Sequence, residues 1–276
     1  MIETIIIKEY LKYKLENSVI LNIEFLKGQY KEKKPIGYVE FKKKSPLIVE
    51  NILSKGPLIY IILFNENGYF YILHTLKNKD SKWQEYEDED CLFYINITST
   101  TSTSSTTSTT SMSSEKIWFK DPNFSSTLQF TSKENILDKQ LNKIGVDVIS
   151  SEFTLEKWNN ILSSYKNKNI ISILTNTSII SSVDNLIISE VLYYAKISPL
   201  KIISNLKSLY KDRLFEALRL IPRILYNKKI LSNADYETSG IQLTYGDNIK
   251  IYEKTDSRRL VLLNSDIIYW DSDIQN

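Results

Sequence analysis

Near residue 133 the apolar pattern of this 276-residue chain changes its period, and that change constrains the fold more than anything in its composition. Upstream, short runs rich in β-branched and aromatic residues read as strands at residues 19–25, 37–41, 58–64, 69–76, 92–97, 116–119 and 127–130. Two of them flank Asn65-Glu66-Asn67-Gly68, whose Asn-Gly step suits the positive φ angles of a tight hairpin. Ahead of the strands, Ile2, Ile5, Ile6, Tyr10, Leu11 and Tyr13 recur close to the 3.6-residue period of an amphipathic helix. Downstream, residues 133–143, 154–165, 169–176, 184–195 and 207–226 read as helices, with Thr154 a natural N-cap and Pro222 predicting a kink or break near Leu220. Beyond residue 230, two β-like runs, 241–252 and 259–270, flank residues 253–257 and read as a terminal hairpin. The expected class is α+β. A helix and an antiparallel β-sandwich fill residues 1–132, and a helical domain fills 133–276, ending in a β-hairpin at about 240–271.

A hydrophobic content of 42% supplies one large core or two ordinary ones. Residues 98–114 are Ser and Thr apart from Met112; they bury too little apolar surface to offset their ordering entropy and read as a disordered insertion in a hairpin turn. Lengthening a loop from roughly 4 to 21 residues costs only about 1.5 kcal/mol of closure entropy, so the sandwich tolerates it. No run of about 18 apolar residues exists, and Glu3, Lys8 and Glu9 fall where a signal peptide needs an apolar stretch. An intracellular protein is expected, in the nucleus if DNA is its partner, with no membrane association. One cysteine (Cys91) and one histidine (His74) cannot fill a structural zinc site of four N or S ligands, so no metal or other cofactor is called for. His74 lies in an apolar run and reads as a core or strand position rather than a catalytic base.

Residues 181–199 carry the most specific pattern, with Asn185, Glu190, Leu192-Tyr193, Ala195, Ile197 and Pro199 at fixed intervals. They resemble the helix-two-turns-helix signature of the formamidopyrimidine-DNA glycosylase and endonuclease VIII family. Ile2-Glu3-Thr4, Trp118-Phe119-Lys120-Asp121-Pro122 and Leu141-Asn142-Lys143-Ile144-Gly145 resemble three further segments of that family, and the order of elements matches over nearly the whole chain. Some members end in a hairpin without metal, the zincless finger, and a single cysteine fits that branch. From residue 181 to 229, nine basic residues stand against four acidic ones, a balance that suits either a DNA-facing surface or a solvated helix face.

The resemblance implies DNA contacts by Asn185, by Lys196 and Lys201 beside it, by Lys55 from the sandwich, and by Arg258 and Arg259 in the hairpin turn. It also exposes departures. The family's nucleophile is an amino-terminal proline followed by a glutamate. Aligned through Ile2-Glu3-Thr4 this chain starts about five residues later, a span of about 17 Å at roughly 3.4 Å per residue. Pro57 stands where the family has a sandwich lysine, with Lys55 two residues away. Asn123 follows Asp121-Pro122 where the family has an arginine that fills the gap left by an everted base, and Leu76 takes the place of its methionine partner. Asp266 aligns with the finger's phosphate-binding arginine, and Ser182 and Asp184 replace two glycines that cradle phosphate. No catalytic residue is assigned. Three readings follow in order: a catalytically degenerate glycosylase-fold protein that binds duplex DNA weakly or without sequence preference; an active glycosylase and abasic-site lyase whose first residues are missing from this sequence; and a protein-interaction scaffold with no DNA role.

Overall fold

Ile7, Leu11 and Leu15, spaced four apart, are buried along one side of the first helix, α1 (Ile2–Leu15), while Tyr13 on its other side is 83% exposed. The computed structural model describes residues 2–77, 80–98, 114–232, 249–254, 258–261 and 267–275. The chain forms two compact units, Glu3–Asn142 and Lys143–Asn276. Most of the Ser/Thr-rich stretch, residues 99–113, and Asp266 lie outside the described residues.

In the first unit, α1 is followed by β1 (Val19–Phe25), a single turn α2 (Gln29–Glu32), α3 (Tyr38–Lys44), β2 (Leu47–Lys55), β3 (Leu58–Asn65), β4 (Gly68–Thr75), β5 (Lys82–Gln84), β6 (Cys91–Thr98), β7 (Ser114–Lys120), β8 (Thr127–Thr131) and α4 (Glu134–Leu141). All eight strands pair antiparallel in the order β5-β7-β6-β1-β2-β3-β4-β8. The centre of this order is thin, because β1 meets β2 only at Val19 with Ile48 and Ile20 with Leu47. The sheet folds over at that seam. His74 on β4 lies with its ring centroid 4.4 Å from that of Phe119 on β7, although the two strands stand near opposite ends of the order. Two four-stranded halves therefore face each other as a sandwich, and Phe25, Trp83, Phe93 and Phe119 fill the space between them.

The β3–β4 hairpin forms at the predicted turn, with Asn65 opposite Gly68. Only Gly68 takes a positive φ there, so the turn chemistry rests on the glycine and not on Asn67. Residues 37–41, expected as a strand, instead lie at the start of α3. Tyr38 and Phe41 are buried one turn apart, a helical spacing, and Phe41 packs against Phe70 and Phe130. β2 escaped the sequence pattern because its register shifts between Val49 and Asn51, which breaks the alternation of a half-buried strand. His74 is core, as expected. Among the described residues neither ring nitrogen has a hydrogen-bond partner, and burial pushes its pKa down to about 3 against the opposing pull of Asp121.

The second unit contains β9 (Val146–Asp147), α5 (Leu155–Ser164), α6 (Ile171–Leu174), β10 (Ile180–Ser181), α7 (Asn185–Ala195), α8 (Ser208–Ser232), β11 (Arg258–Val261) and β12 (Ile267–Trp270). Thr154 caps α5 by accepting from the Lys157 amide at 3.2 Å. β9 and β10 pair in parallel, and Gly145 sits so close to this pairing that an added Cβ would lie 2.1 Å from the carbonyl carbon of Ile179. The expected break at Pro222 does not occur: α8 runs through it. Pro222 is itself buried, and the buried side chains of Leu214, Leu218 and Leu225 hold the helix in place where one backbone hydrogen bond is missing. No helix among the described residues is long and apolar enough to cross a membrane.

Candidate nucleic-acid interface

Helix α7 is the centre of the second unit, buried on nearly every side through Ile187, Ile188, Ser189, Glu190, Val191, Leu192 and Ala195. Asp184 caps it, its carboxylate accepting from the Ile187 amide at 2.9 Å. Asp184, at the second position where the resembled motif carries a glycine, is therefore a helix cap in extended backbone that any residue adopts (φ −125°). The first such position is different. Ser182 keeps a left-handed φ of 65° although it has a Cβ, is 1% exposed, and its hydroxyl has no hydrogen-bond partner among the described residues. The backbone shape that glycine would favour thus persists without the glycine, at a strain of roughly 1–2 kcal/mol. At the other end, Lys196 also takes a left-handed conformation (φ 59°), and the amides of Lys196 and Ile197 close the helix on the carbonyls of Tyr193 and Leu192.

Two polar side chains of α7 reach the terminal segment. The Glu190 carboxylate, 4% exposed, accepts three backbone N–H groups: Lys250 at 2.9 Å, Ile251 at 2.9 Å and Tyr252 at 2.9 Å. Ser189 donates to the Asn185 carbonyl at 2.7 Å and accepts from the Tyr269 amide at 3.0 Å. Gln275 adds a third tie. Its amide donates to the Ile197 carbonyl at 2.9 Å and its oxygen accepts from the Asp271 amide at 2.7 Å. Because Glu190 engages these amides, residues 250–252 are not the first strand of the expected hairpin. Residues 241–248 of the first expected run lie outside the described residues, and the described hairpin pairs Arg258 with Trp270 and Arg259 with Tyr269, so that almost all of it falls in the second run. Arg258 and Arg259 are consequently strand residues and not turn residues. They are exposed, and their guanidinium carbons stand 5.8 Å and 5.7 Å from the ring centroids of Trp270 and Tyr269.

This places Asn185 and the two arginines on one connected framework, from Asn185 through Ser189 to Tyr269 and its partner Arg259. The Asn185 side-chain amide has no hydrogen-bond partner among the described residues. Lys196 and Lys201 are elsewhere: the 11 residues of α7 put Lys196 about 16 Å from Asn185, at the opposite end of the helix. Part of the positive charge noted in this segment is internal, since Arg223 donates to the Ile149 carbonyl at 3.1 Å.

In the first unit, the Lys55 ammonium donates to the Leu141 carbonyl at 3.1 Å, at the last residue of α4, a location that suits a cation. Leu76 is 8% exposed, and its amide bonds the Pro57 carbonyl. The loop after β7 is organised by Asp121, which is fully buried and accepts from the amides of Asn123 (3.3 Å), Ser125 (2.9 Å) and Ser126 (2.8 Å). Burial opposes its ionisation, but the hydrogen bonds from Ser126, Asn123 and Ser81 outweigh that and hold its carboxyl below the usual carboxylate range. The loop so formed presents Phe124, 51% exposed on left-handed backbone (φ 52°). Sequence reasoning did not nominate Phe124. The only available signal was an aromatic residue just after Asp121-Pro122, the pair that builds the loop.

No family model and no curated protein sequence matches the chain. Solved structures do. A complex of the LlFpg protein with THF-DNA and an inhibitor superposes with a TM-score of 0.76 at 16% identity, covering 100% of this chain and 98% of that one. The Lactococcus lactis Fpg (MutM) bound to FAPY-dG-containing DNA gives 0.75 at 16% identity, covering 100% and 99%. MutM in complex with carbocyclic 8-oxo-G-containing DNA gives 0.75 at 17%, with the same coverage. The chain has the fold of the formamidopyrimidine-DNA glycosylases.

Proposed function

We propose that this chain, carrying the glycosylase fold, is a duplex-DNA-binding protein that does not excise bases or cut strands. The observation that carries the reading is the framework around α7, where an unpartnered amide at Asn185 and two exposed arginines on β11 are braced through buried hydrogen bonds. Phosphate contacts need donors on rigid backbone, and this arrangement supplies them. Lys196 and Lys201 reach a second phosphate further along the duplex, and Phe124 offers an apolar face to the base stack. The similar solved structures are DNA complexes, in keeping with such a partner. The absence of excision is supported by Lys55 being engaged with the Leu141 carbonyl, by the burial of Leu76, and by Asn123 standing where an arginine would follow Asp121-Pro122. Its place of work is then the compartment that holds the genome.

Two measurements on the full chain test this. Binding to a short duplex at several salt concentrations should give log affinity falling linearly with log salt, by about 0.9 per phosphate contacted. Arg258→Ala with Arg259→Ala should reduce that slope, and Phe124→Ala should weaken binding without changing it. Borohydride treatment on abasic-site DNA should leave no covalent adduct. Absence of duplex affinity even at low salt would sink the DNA role and favour a protein-interaction scaffold, whereas a trapped adduct would make the protein an active lyase.

A further inference from the structure

In the first unit the chain between β1 and α3 forms a strap along the free edge of β8, the end strand of the sheet. Gly28 and Gly37 bound it, both with positive φ (70° and 79°), and a Cβ on Gly37 would lie 2.0 Å from the Phe130 carbonyl oxygen. The strap is pinned to β8 at two points. The Tyr30 hydroxyl accepts from the Leu128 amide at 3.0 Å, and the Ile36 carbonyl accepts from the Phe130 amide at 2.8 Å. Between these pins the strap stands off the sheet and borders a half-open pocket of about 410 Å³, which Gln140 of α4 also lines. That size falls in the range of small-molecule sites.

The lining has three parts. Leu58 and Leu73, which share one face of the sheet with Thr75, Thr127 and Gln129, make an aliphatic floor and are at most 3% exposed. The amides of Gln29 and Gln129 and the hydroxyls of Thr75 and Thr127 form the walls. Among the described residues the Gln29 amide and both hydroxyls lack a hydrogen-bond partner within the protein, while Gln129 accepts from Gln140 at 3.4 Å. At the rim stand Lys33 and Lys34, neither in an ion pair among the described residues, with the Lys34 ammonium 5.0 Å from the centroid of Phe25. Among the described residues no acidic side chain lines the cavity. An occupant that satisfies all three parts has a flat apolar face, donors and acceptors along its edge, and a negative group at one end.

We propose that this cavity is a nucleotide site, in which the aliphatic floor takes the face of the base, the amides and hydroxyls meet its edges, and Lys33 and Lys34 hold the phosphate. A free 5′-mononucleotide and an unpaired nucleotide of a single strand present the same chemistry. The site lies wholly within the first unit and uses no residue assigned to duplex binding, so it stands or falls separately from that reading.

Calorimetric titration of the full chain with the four 5′-deoxymononucleotides, their nucleosides and inorganic phosphate tests the proposal. At least one mononucleotide should bind saturably and at least tenfold more tightly than inorganic phosphate or its own nucleoside. Replacing both rim lysines (Lys33→Glu with Lys34→Glu) should weaken the mononucleotide at least tenfold and leave the nucleoside unchanged. Thr127→Val should weaken both several-fold. Circular dichroism and unchanged duplex binding show that the variants remain folded. Competition by a single-stranded oligonucleotide assigns the site to strands, and lack of competition assigns it to free nucleotides; either result keeps the site. Equal affinity for mononucleotide and inorganic phosphate, no saturable binding at millimolar concentration, or insensitivity to the lysine replacements would each overturn it.

Discussion

Both units bury polar side chains, and they do so to opposite effect. In the sandwich, His74 and the Trp83 indole nitrogen are enclosed among Phe93 and Phe119 without any hydrogen-bond partner among the described residues. In the second unit, Ser189, Glu190 and Gln275 are as deeply buried, yet their side chains bond to backbone groups of other segments. A satisfied buried group acts as a connector, because its removal orphans several amides at once. An unsatisfied one is tolerated by packing and, where it titrates as His74 does, responds to protons. The difference shows that the second unit ties its core through polar keystones, whereas the centre of the sandwich is held by aromatic packing and its buried polar keystone, Asp121, serves the loop after β7.

The largest effect expected from this contrast belongs to Glu190. Glu190→Ala leaves three buried amides without an acceptor and should destabilise the second unit by about 3–5 kcal/mol, read by urea denaturation, with hydrogen exchange accelerated first at residues 250–252. Equal loss of protection throughout the chain would contradict the keystone role. Next in size is the acid response of His74. Its folded pKa of about 3 lies below the unfolded value near 6.5, so the unfolded chain binds the proton first. Stability should be flat with respect to this group above pH 6.5 and fall by about 1.4 kcal/mol per pH unit below it, until the folded pKa is reached. His74→Leu should remove that slope; a mutant with an unchanged slope below pH 6.5 would assign it to other groups. Ser182→Gly should raise stability by roughly 1–2 kcal/mol by relieving left-handed strain, and a neutral or destabilised variant would mean that the serine is not strained. Smallest is Lys196→Gly, expected to gain about 0.5–1 kcal/mol in melting experiments for the same reason. It should also lower the salt dependence of duplex binding by about one phosphate if that lysine meets DNA.

Much of this architecture was legible because it is written in local pattern. The limits of β1, the β3–β4 turn, the Thr154 cap and the core position of His74 each depend on a few neighbouring residues. What remained hidden depends on partners far away in sequence. Residues 37–41 alternate well enough for a strand, but burial against Phe70 and Phe130 selects a helix. That residues 250–252 are not a strand could not be foreseen, since their amides are taken by Glu190, 60 to 62 residues upstream. Pro222 carries a strong local rule that packing of α8 overrides. For the candidate interface, Asn185 and the two arginines were visible as residue types, whereas their common framework and the exposure of Phe124 were not, because only the folded backbone joins them.

The β6–β7 pairing carries a practical consequence. Thr98 lies opposite Ser114, and the Ser114 hydroxyl donates to the Asn96 side-chain oxygen at 2.6 Å two rungs further in, so the ladder is complete on both sides of the intervening 15 residues. Sequence length at that point is therefore a free variable for protein engineering. A reporter domain whose own ends lie close together can be spliced between Thr98 and Ser114, turning a low-complexity stretch into an attachment port that leaves both units untouched.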